Sequence, residues 1–348
     1  MIVDDSAVVR GLLARALESD GGIHVAASAA NGQMALDTLK RHDIELLLLD
    51  VEMPVMDGLT ALPLLVKARP DLKVIMVSSL TKSCAAVTLK ALAAGAADYV
   101  AKPSSADREA GDVFRRDLVA KVKALAEARR AAASPSLTTR APAVVGASLR
   151  AGPAGPPRAI AIGASTGGPT ALYRIAAALK AELVQPIFVT QHMPPTFTAI
   201  FADHLARASG WAAAEACDGE AVAERRIYVA PGDYHMLVES ADGGKRIRLS
   251  KGPAENYCRP AVDPMLRSLA AVYGDGLLAV MLTGMGHDGL AGADAVVAAG
   301  GAVIAQDQAS SVVWGMPGAV ATAGLCSALL PLDEIAPFLA AAARRGLR

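Results

Sequence analysis

Along the chain, short unbroken apolar runs alternate with longer stretches whose apolar residues recur at helical spacing. "IELLLLDV" (44–51) and "KVIMVSS" (73–79) are runs of the first kind, and "ADYVAK" (97–102) is a shorter one. Ala-rich segments of helical period separate them. Beyond residue 158 the alternation resumes: "AIAIG", "PIFVTQH", "RIYVAP", "LLAVMLTG" and "AVIAQD" read as strands, with helices notably over 169–180 and 289–299. Fully apolar strands joined through helices predict α/β domains whose parallel sheets are covered on both faces. On such sheets functional groups gather beyond the carboxyl ends of the strands, near the switch in strand order.

The alternation breaks between Ala124 and Arg158. "ARRAAASPSLTTRAPAVVGASLRAGPAGPPR" is Ala, Pro, Gly, Ser and Arg with little apolar period. That composition suits a flexible linker, and so long a structureless loop is improbable inside a compact domain. The chain thus divides into an N-terminal domain over 1–125, a linker over 126–157 and a C-terminal domain over 158–348. A length of 348 residues suits two domains. No internal repeat relates the halves.

Composition narrows the function. Lys+Arg and Asp+Glu balance at 34 each. Residues 158–348 carry fifteen basic against seventeen acidic residues, which argues against a DNA-binding output domain. Neither nucleic acid nor an anionic membrane is the expected partner. Cys84, Cys217, Cys258 and Cys326 form no C-x-x-C pair and read as reduced, mostly core thiols. No apolar run reaches the ~18 residues of a membrane span, and the start "MIVDDSAVVR" is not signal-like. A cytoplasmic location without membrane insertion is expected.

In the first domain Asp4 and Asp5 follow "MIV", Asp50 closes "IELLLLD", Ser78 ends the next strand and Lys102 the last. One Asp after a strand is usually a cap or turn residue. Five such groups at successive strand ends of a parallel sheet converge on one edge. Clustered carboxylates suit a hard cation such as Mg²⁺, and the metal with Lys102 would neutralise a phosphoryl group arriving at Asp50. The segments "VDDSAVVR", "LLLLDVEMPVMDGL", "MVSSL" and "AADYVAKP" resemble the receiver domain of two-component response regulators. The resemblance covers roughly 1–125. It implies a five-stranded parallel, flavodoxin-like fold, Mg²⁺ near Asp4, Asp5 and Asp50, and phosphorylation of Asp50 by a histidine kinase. It also implies that Ser78 and Tyr99 are the hydroxyl and aromatic switch positions. Only Met1, Ile2 and Val3 precede Asp4, so the central first strand is expected to lose pairing on both sides.

In the second domain "AIAIGASTGGPTALYRI" (159–175) reads as strand, glycine turn and helix. A dinucleotide loop wants glycine in the middle of G-x-G-x-x-G, where this loop has Ser165; no acidic ribose partner follows about 20 residues on. The loop instead satisfies G-x-S-x-G, a turn that exposes a nucleophilic serine, although Ser165 or Thr166 could equally be a plain helix cap. A serine needs a base, and the base an orienting acid. Among six histidines, His192 follows the strand "PIFVTQ" directly. Asp288 in "LLAVMLTGMGHDGLAG" opens a helix after another strand, where its simpler role would be a cap. The adjacent His287 is the rival base, but neighbours in sequence point different ways. Backbone N–H groups at the helix start, Ser165 to Thr166 and Gly167, are candidates for an oxyanion site.

"AIGASTGGPTAL", "TQHMPPTFT", "VAPGDYHM", "VMLTGMGHDGLAG" and "AQDQASSVVWGMPGAV" resemble the catalytic domain of chemotaxis protein-glutamate methylesterases. That resemblance places the catalytic serine, histidine and aspartate on Ser165, His192 and Asp288, and an oxyanion role on the backbone at Met285. It implies a doubly wound, mostly parallel, Rossmann-like sheet distinct from the α/β-hydrolase fold, whose triad runs in a different order. It further implies demethylation of glutamate methyl esters and deamidation of glutamines on chemoreceptors. No cofactor is implied for the ester chemistry; a monomer is expected, with chemoreceptors as substrate and a histidine kinase as phosphodonor. The alternative is a phosphorylation-gated nucleotide-binding module. An unphosphorylated receiver is expected to cover the serine edge, so removing residues 1–150 should raise methanol release from methylated receptors above that of the unphosphorylated full chain; an equal or lower rate would count against a gate.

Overall fold

A run such as Leu46–Asp50 has no polar side to turn to water, so it is stable only as an interior strand, and all five residues are buried. The structure, a computed structural model, describes residues 1–102, 108–133, 149–152, 155–179 and 183–346. It divides into two units, Met1–Leu137 and Thr138–Arg348.

The first unit runs β1 (Ile2–Val3), α1 (Ala7–Glu18), β2 (Ser28–Ala29), α2 (Gly32–Leu39), β3 (Leu46–Asp50), α3 (Gly58–Ala68), β4 (Lys73–Ser78), α4 (Lys82–Ala93), β5 (Asp98–Ala101) and α5 (Arg108–Ala133). Its five strands lie in the order β2-β1-β3-β4-β5, all parallel. Ser6, Asn31, Asp57 and Thr81 each accept the N–H three residues on, starting α1 to α4 where the chain leaves the sheet. Short as β1 is, Ile2 pairs with Ser28 and Leu48, and Val3 with Ala29 and Leu49. The expected loss of pairing is therefore not found: two buried residues suffice to bridge both neighbours.

Helix α5 corrects the boundary drawn at 125. It continues to Ala133 because its last turns are tied to the sheet: Arg130 makes a two-pronged contact with Glu45 at 2.7 Å for each bond, and Arg129 reaches Asp71 and Glu45. Arginines that read as linker are thus a helix-terminal clamp. The remainder of the linker reading falls largely on 134–148, outside the described residues.

The second unit runs β6 (Ala159–Ala164), α6 (Gly168–Ala177), β7 (Ile187–Gln191), α7 (Pro195–Ser209), β8 (Ala212–Glu215), β9 (Arg226–Val229), β10 (His235–Ala241), β11 (Gly244–Ser250), α8 (Val262–Tyr273), β12 (Leu277–Met281), α9 (Leu290–Ala298), β13 (Ala302–Gln306), α10 (Met316–Thr322), β14 (Ala328–Leu330) and α11 (Leu332–Arg345). Seven strands form one sheet, β14-β13-β12-β6-β7-β9-β8, parallel at every pairing. Strands β10 and β11 make a separate antiparallel hairpin. The chain builds outward from β6 to one side, then crosses to β12 and builds to the other, so the switch lies between β6 and β12. The core is filled by large side chains, with the Phe188 and Tyr228 rings stacked at 5.4 Å. Among the described residues no helix is long and apolar enough to cross a membrane.

The loop after β9 is pressed onto the start of α7. The Gly232 N–H donates to Thr198 Oγ1, and a Cβ at 232 would lie 2.2 Å from the Pro195 nitrogen. Backbone cannot yield as a side chain can, so Gly232→Ala should lower stability by about 1–3 kcal/mol. Thermal melting of the full chain checks this; an unchanged Tm would show that the loop moves freely.

Candidate active site

Ser165 stands where β6 meets its turn. Its N–H donates to the Thr283 carbonyl beyond β12, and its carbonyl accepts from Gln191 Nε2 of β7 and from the Gly168 N–H. The serine backbone is thus fixed from both neighbouring strands. Gly167 takes φ 78°, which turns the chain into α6. A Cβ there would meet Val312 at 2.6 Å, so Val312 packs directly against the turn. Across the rim, Gly284 accepts from the Gly315 and Met316 N–H groups and donates to the Val313 carbonyl, which pins the turn carrying Met285.

The residues flanking Ser165 and His192 are in register, Ala164 opposite Gln191, so the two candidates begin adjacent loops. His192 is held by Asp288, with Nε2 and Oδ2 2.7 Å apart. Asp288 is 2 % exposed, whereas the adjacent His287, the rival base, is exposed. The Asp288 carboxylate also accepts the N–H groups of Val262 (2.6 Å, Oδ2) and Asp263 (3.1 Å, Oδ1) at the start of α8, and Asn256 Nδ2 (3.0 Å, Oδ1). It therefore caps α8 from a distant part of the chain while orienting the imidazole. Burial works to raise its pKa, but His192 and the two N–H groups outweigh burial and hold it below the usual carboxylate range. Asp263, beside it, is pushed the other way by burial and by the Asp288 charge.

Among the described residues the Ser165 hydroxyl is not hydrogen-bonded to His192. The second ring nitrogen, Nδ1, is instead in contact with Cys258 Sγ at 3.4 Å. Of the four cysteines that read as mostly core thiols, Cys84 and Cys326 are buried, Cys217 is exposed, and Cys258 is half-buried and faces the imidazole. Cys258 closes a tight turn, Glu255–Cys258, whose central residues Asn256 and Tyr257 both have positive φ (52° and 62°). His235 braces the following loop, its Nε2 donating to the Pro253 carbonyl and its Nδ1 accepting the Ala261 N–H. Asn256, Cys258 and Asp263 were not singled out from the sequence. Asn within a turn is a weak signal, and Tyr in the left-handed region is none at all. Burial disfavours a charged His192, but the Cys258 sulfur and the Asp288 carboxylate outweigh it and lift its pKa to about 10.

The receiver edge is also assembled. Lys102 Nζ lies 2.9 Å from Asp4 and 2.8 Å from Asp50, and single oxygens of Asp4, Asp5 and Asp50 come within 4.8 Å of one another. Burial raises the Asp50 pKa, with Asp4 adding to it and Lys102 opposing. Ser78 is buried, its hydroxyl bonded to Thr88 at 2.8 Å. Tyr99 is buried too, with Lys121 over its ring.

The sequence profile of the CheB methylesterase family matches residues 160–339, and that of the response regulator receiver domain matches 1–110. A protein-glutamate methylesterase/protein-glutamine glutaminase 1 of Paramagnetospirillum magneticum is 56% identical over 99% of this chain and 96% of its own. The chain belongs to the CheB methylesterase family. A protein-glutamate methylesterase/protein-glutamine glutaminase 2 of Caulobacter vibrioides is 52% identical over 99% of this chain and 98% of its own. The solved CheB methylesterase catalytic domain of Thermotoga maritima is 41% identical, with a TM-score of 0.52, and covers 53% of this chain and 98% of that one. The nucleotide-binding alternative finds no support among these relatives.

The raised His192 pKa makes a stability prediction for this CheB-family chain. A histidine whose pKa rises from near 6.5 unfolded to about 10 folded holds its proton more tightly when folded, so its contribution is full below 6.5 and is lost as pH rises through about 10. The Tm gap between wild type and His192→Gln should be widest below pH 6.5 and close above pH 10. A gap independent of pH would mean that His192 is neutral throughout.

Proposed function

We propose that this chain is a phosphorylation-regulated hydrolase that demethylates glutamate methyl esters, and deamidates glutamines, on chemoreceptors. The observation that carries the reading is the His192–Asp288 pair beside the serine turn, in a chain of this family. Ser165 Oγ attacks the ester carbonyl while His192 takes its proton. Asp288 stabilises the imidazolium. Backbone N–H groups at Thr166–Gly167 and at Met285 hold the oxyanion, each such donor being worth about 3 kcal/mol. The tetrahedral intermediate collapses as His192 returns the proton to methoxide, releasing methanol. Water, deprotonated by His192, then frees the glutamate carboxylate and regenerates Ser165. With glutamine the leaving group is ammonia.

The receiver regulates this chemistry, with the chain between the two units as tether. Its phosphodonor is a histidine kinase of the chemotaxis pathway, and it acts in the cytoplasm. Asp50 takes the phosphoryl group, Lys102 balances the added charge, and Ser78 and Tyr99 reorganise in response. Asp4, Asp5 and Asp50 are an all-oxygen donor set that fits Mg²⁺, and Asp5 is open to solvent. The ion, when bound, supplies charge neutralisation for the incoming phosphoryl group.

Methanol release from methylated receptor membranes tests both halves. Ser165→Ala should lower it by at least about 10³-fold. A small-molecule phosphodonor with Mg²⁺ should raise the wild-type rate and leave an Asp50→Ala chain unmoved. A Ser165→Ala chain that still releases methanol at the wild-type rate would overturn the assignment.

A further inference from the structure

His192 has two ring nitrogens, and both are occupied. Nε2 is committed to Asp288, a carboxylate that is itself anchored by two backbone N–H groups and Asn256. Only Nδ1 is left to receive a proton from Ser165, and the Cys258 sulfur sits on it at 3.4 Å. We infer that Cys258 is a positioning residue that occupies the base nitrogen of His192 at rest and must release it before Ser165 can be activated. This rests on the Ser165–His192–Asp288 reading above.

The surrounding structure is built for that contact. The same four-residue turn delivers Asn256 to Asp288 and Cys258 to His192, so one backbone segment grips the acid and the base together. It does so with two consecutive non-glycine residues in the left-handed region, one of them a tyrosine, a conformation that persists only where the surroundings enforce it. His235 enforces it from below by holding Pro253 and Ala261 at either end of the loop. Tyr257, in the same turn, is 82 % exposed. The charged and titratable groups around the imidazole are Asp288 and Cys258 in contact, with Asp263 and Arg267 of α8 behind Asp288. Of the two in contact, Asp288 supports the reaction, and Cys258 competes with the serine.

Two measurements on the full chain test this. The first is the imidazole titration of His192 by NMR with labelled histidine, assigned with His192→Gln. Cys258→Ala should lower its midpoint by about one unit. The second is the pH profile of kcat/KM for methanol release. A base acts when neutral, so that shift should move the acid limb down by the same amount and raise kcat/KM at pH 7 up to about tenfold. A contact that merely supports the fold would lower the rate and leave the profile in place, which is one result that overturns the inference. Superimposable titrations in wild type and Cys258→Ala would do the same. So would a folded but inactive Cys258→Ala alongside an active Ser165→Ala, which would make the sulfur the nucleophile. If wild type released no methanol at all, the hydrolase reading would fail while the titration still decided the role of the thiol.

Discussion

The catalytic unit is organised around one buried negative charge. A carboxylate taken out of water costs several kcal/mol unless it is fully hydrogen-bonded, and Asp288 is satisfied by His192, two N–H groups of α8 and Asn256. Those partners come from the loop after β7, the start of α8 and the turn before it. Because the charge needs all of them, it fixes where the three segments meet. The position of the imidazole is then a by-product of satisfying the acid. Catalytic geometry and the packing of α8 share one anchor.

The receiver uses the opposite solution for a similar problem. There the carboxylates cluster, and one ammonium group, Lys102, spans Asp4 and Asp50. The arrangement is balanced for exchange: burial pushes the Asp50 proton affinity up while Lys102 pulls it down. In the hydrolase unit two of the four partners of the acid are backbone N–H groups, fixed by the start of α8.

Both sheets were legible in the sequence because strands such as "LLLLD" and "LLAVM" are buried on both sides and carry no other pattern. Strand β8 was not, since "AAAE" holds no β-branched or aromatic residue and its strand character comes from pairing with β9. The hairpin β10–β11 escaped for a related reason: its strands pair with each other rather than with the sheet, and only a few of their residues, Met236, Val238 and Ile247 among them, reach the core. Ser165, His192 and Asp288 were legible as strand-end residues followed by turns. Cys258 and Asn256 were not, because they follow no strand of the sheet; the turn that brings them in has no glycine to announce it. The end of α5 was misplaced because Ala and Arg serve equally in a linker and in a helix, and only the carboxylates of Glu45 and Asp71 decide between them.

The β10–β11 hairpin stands outside the seven-stranded sheet, and only its base, at His235, reaches the loop that serves the catalytic rim. Its far end turns at Asp242 and Gly243 in the open, where lengthening a loop costs entropy only logarithmically. Segments inserted at that tip would lengthen the molecule while leaving the catalytic rim in place.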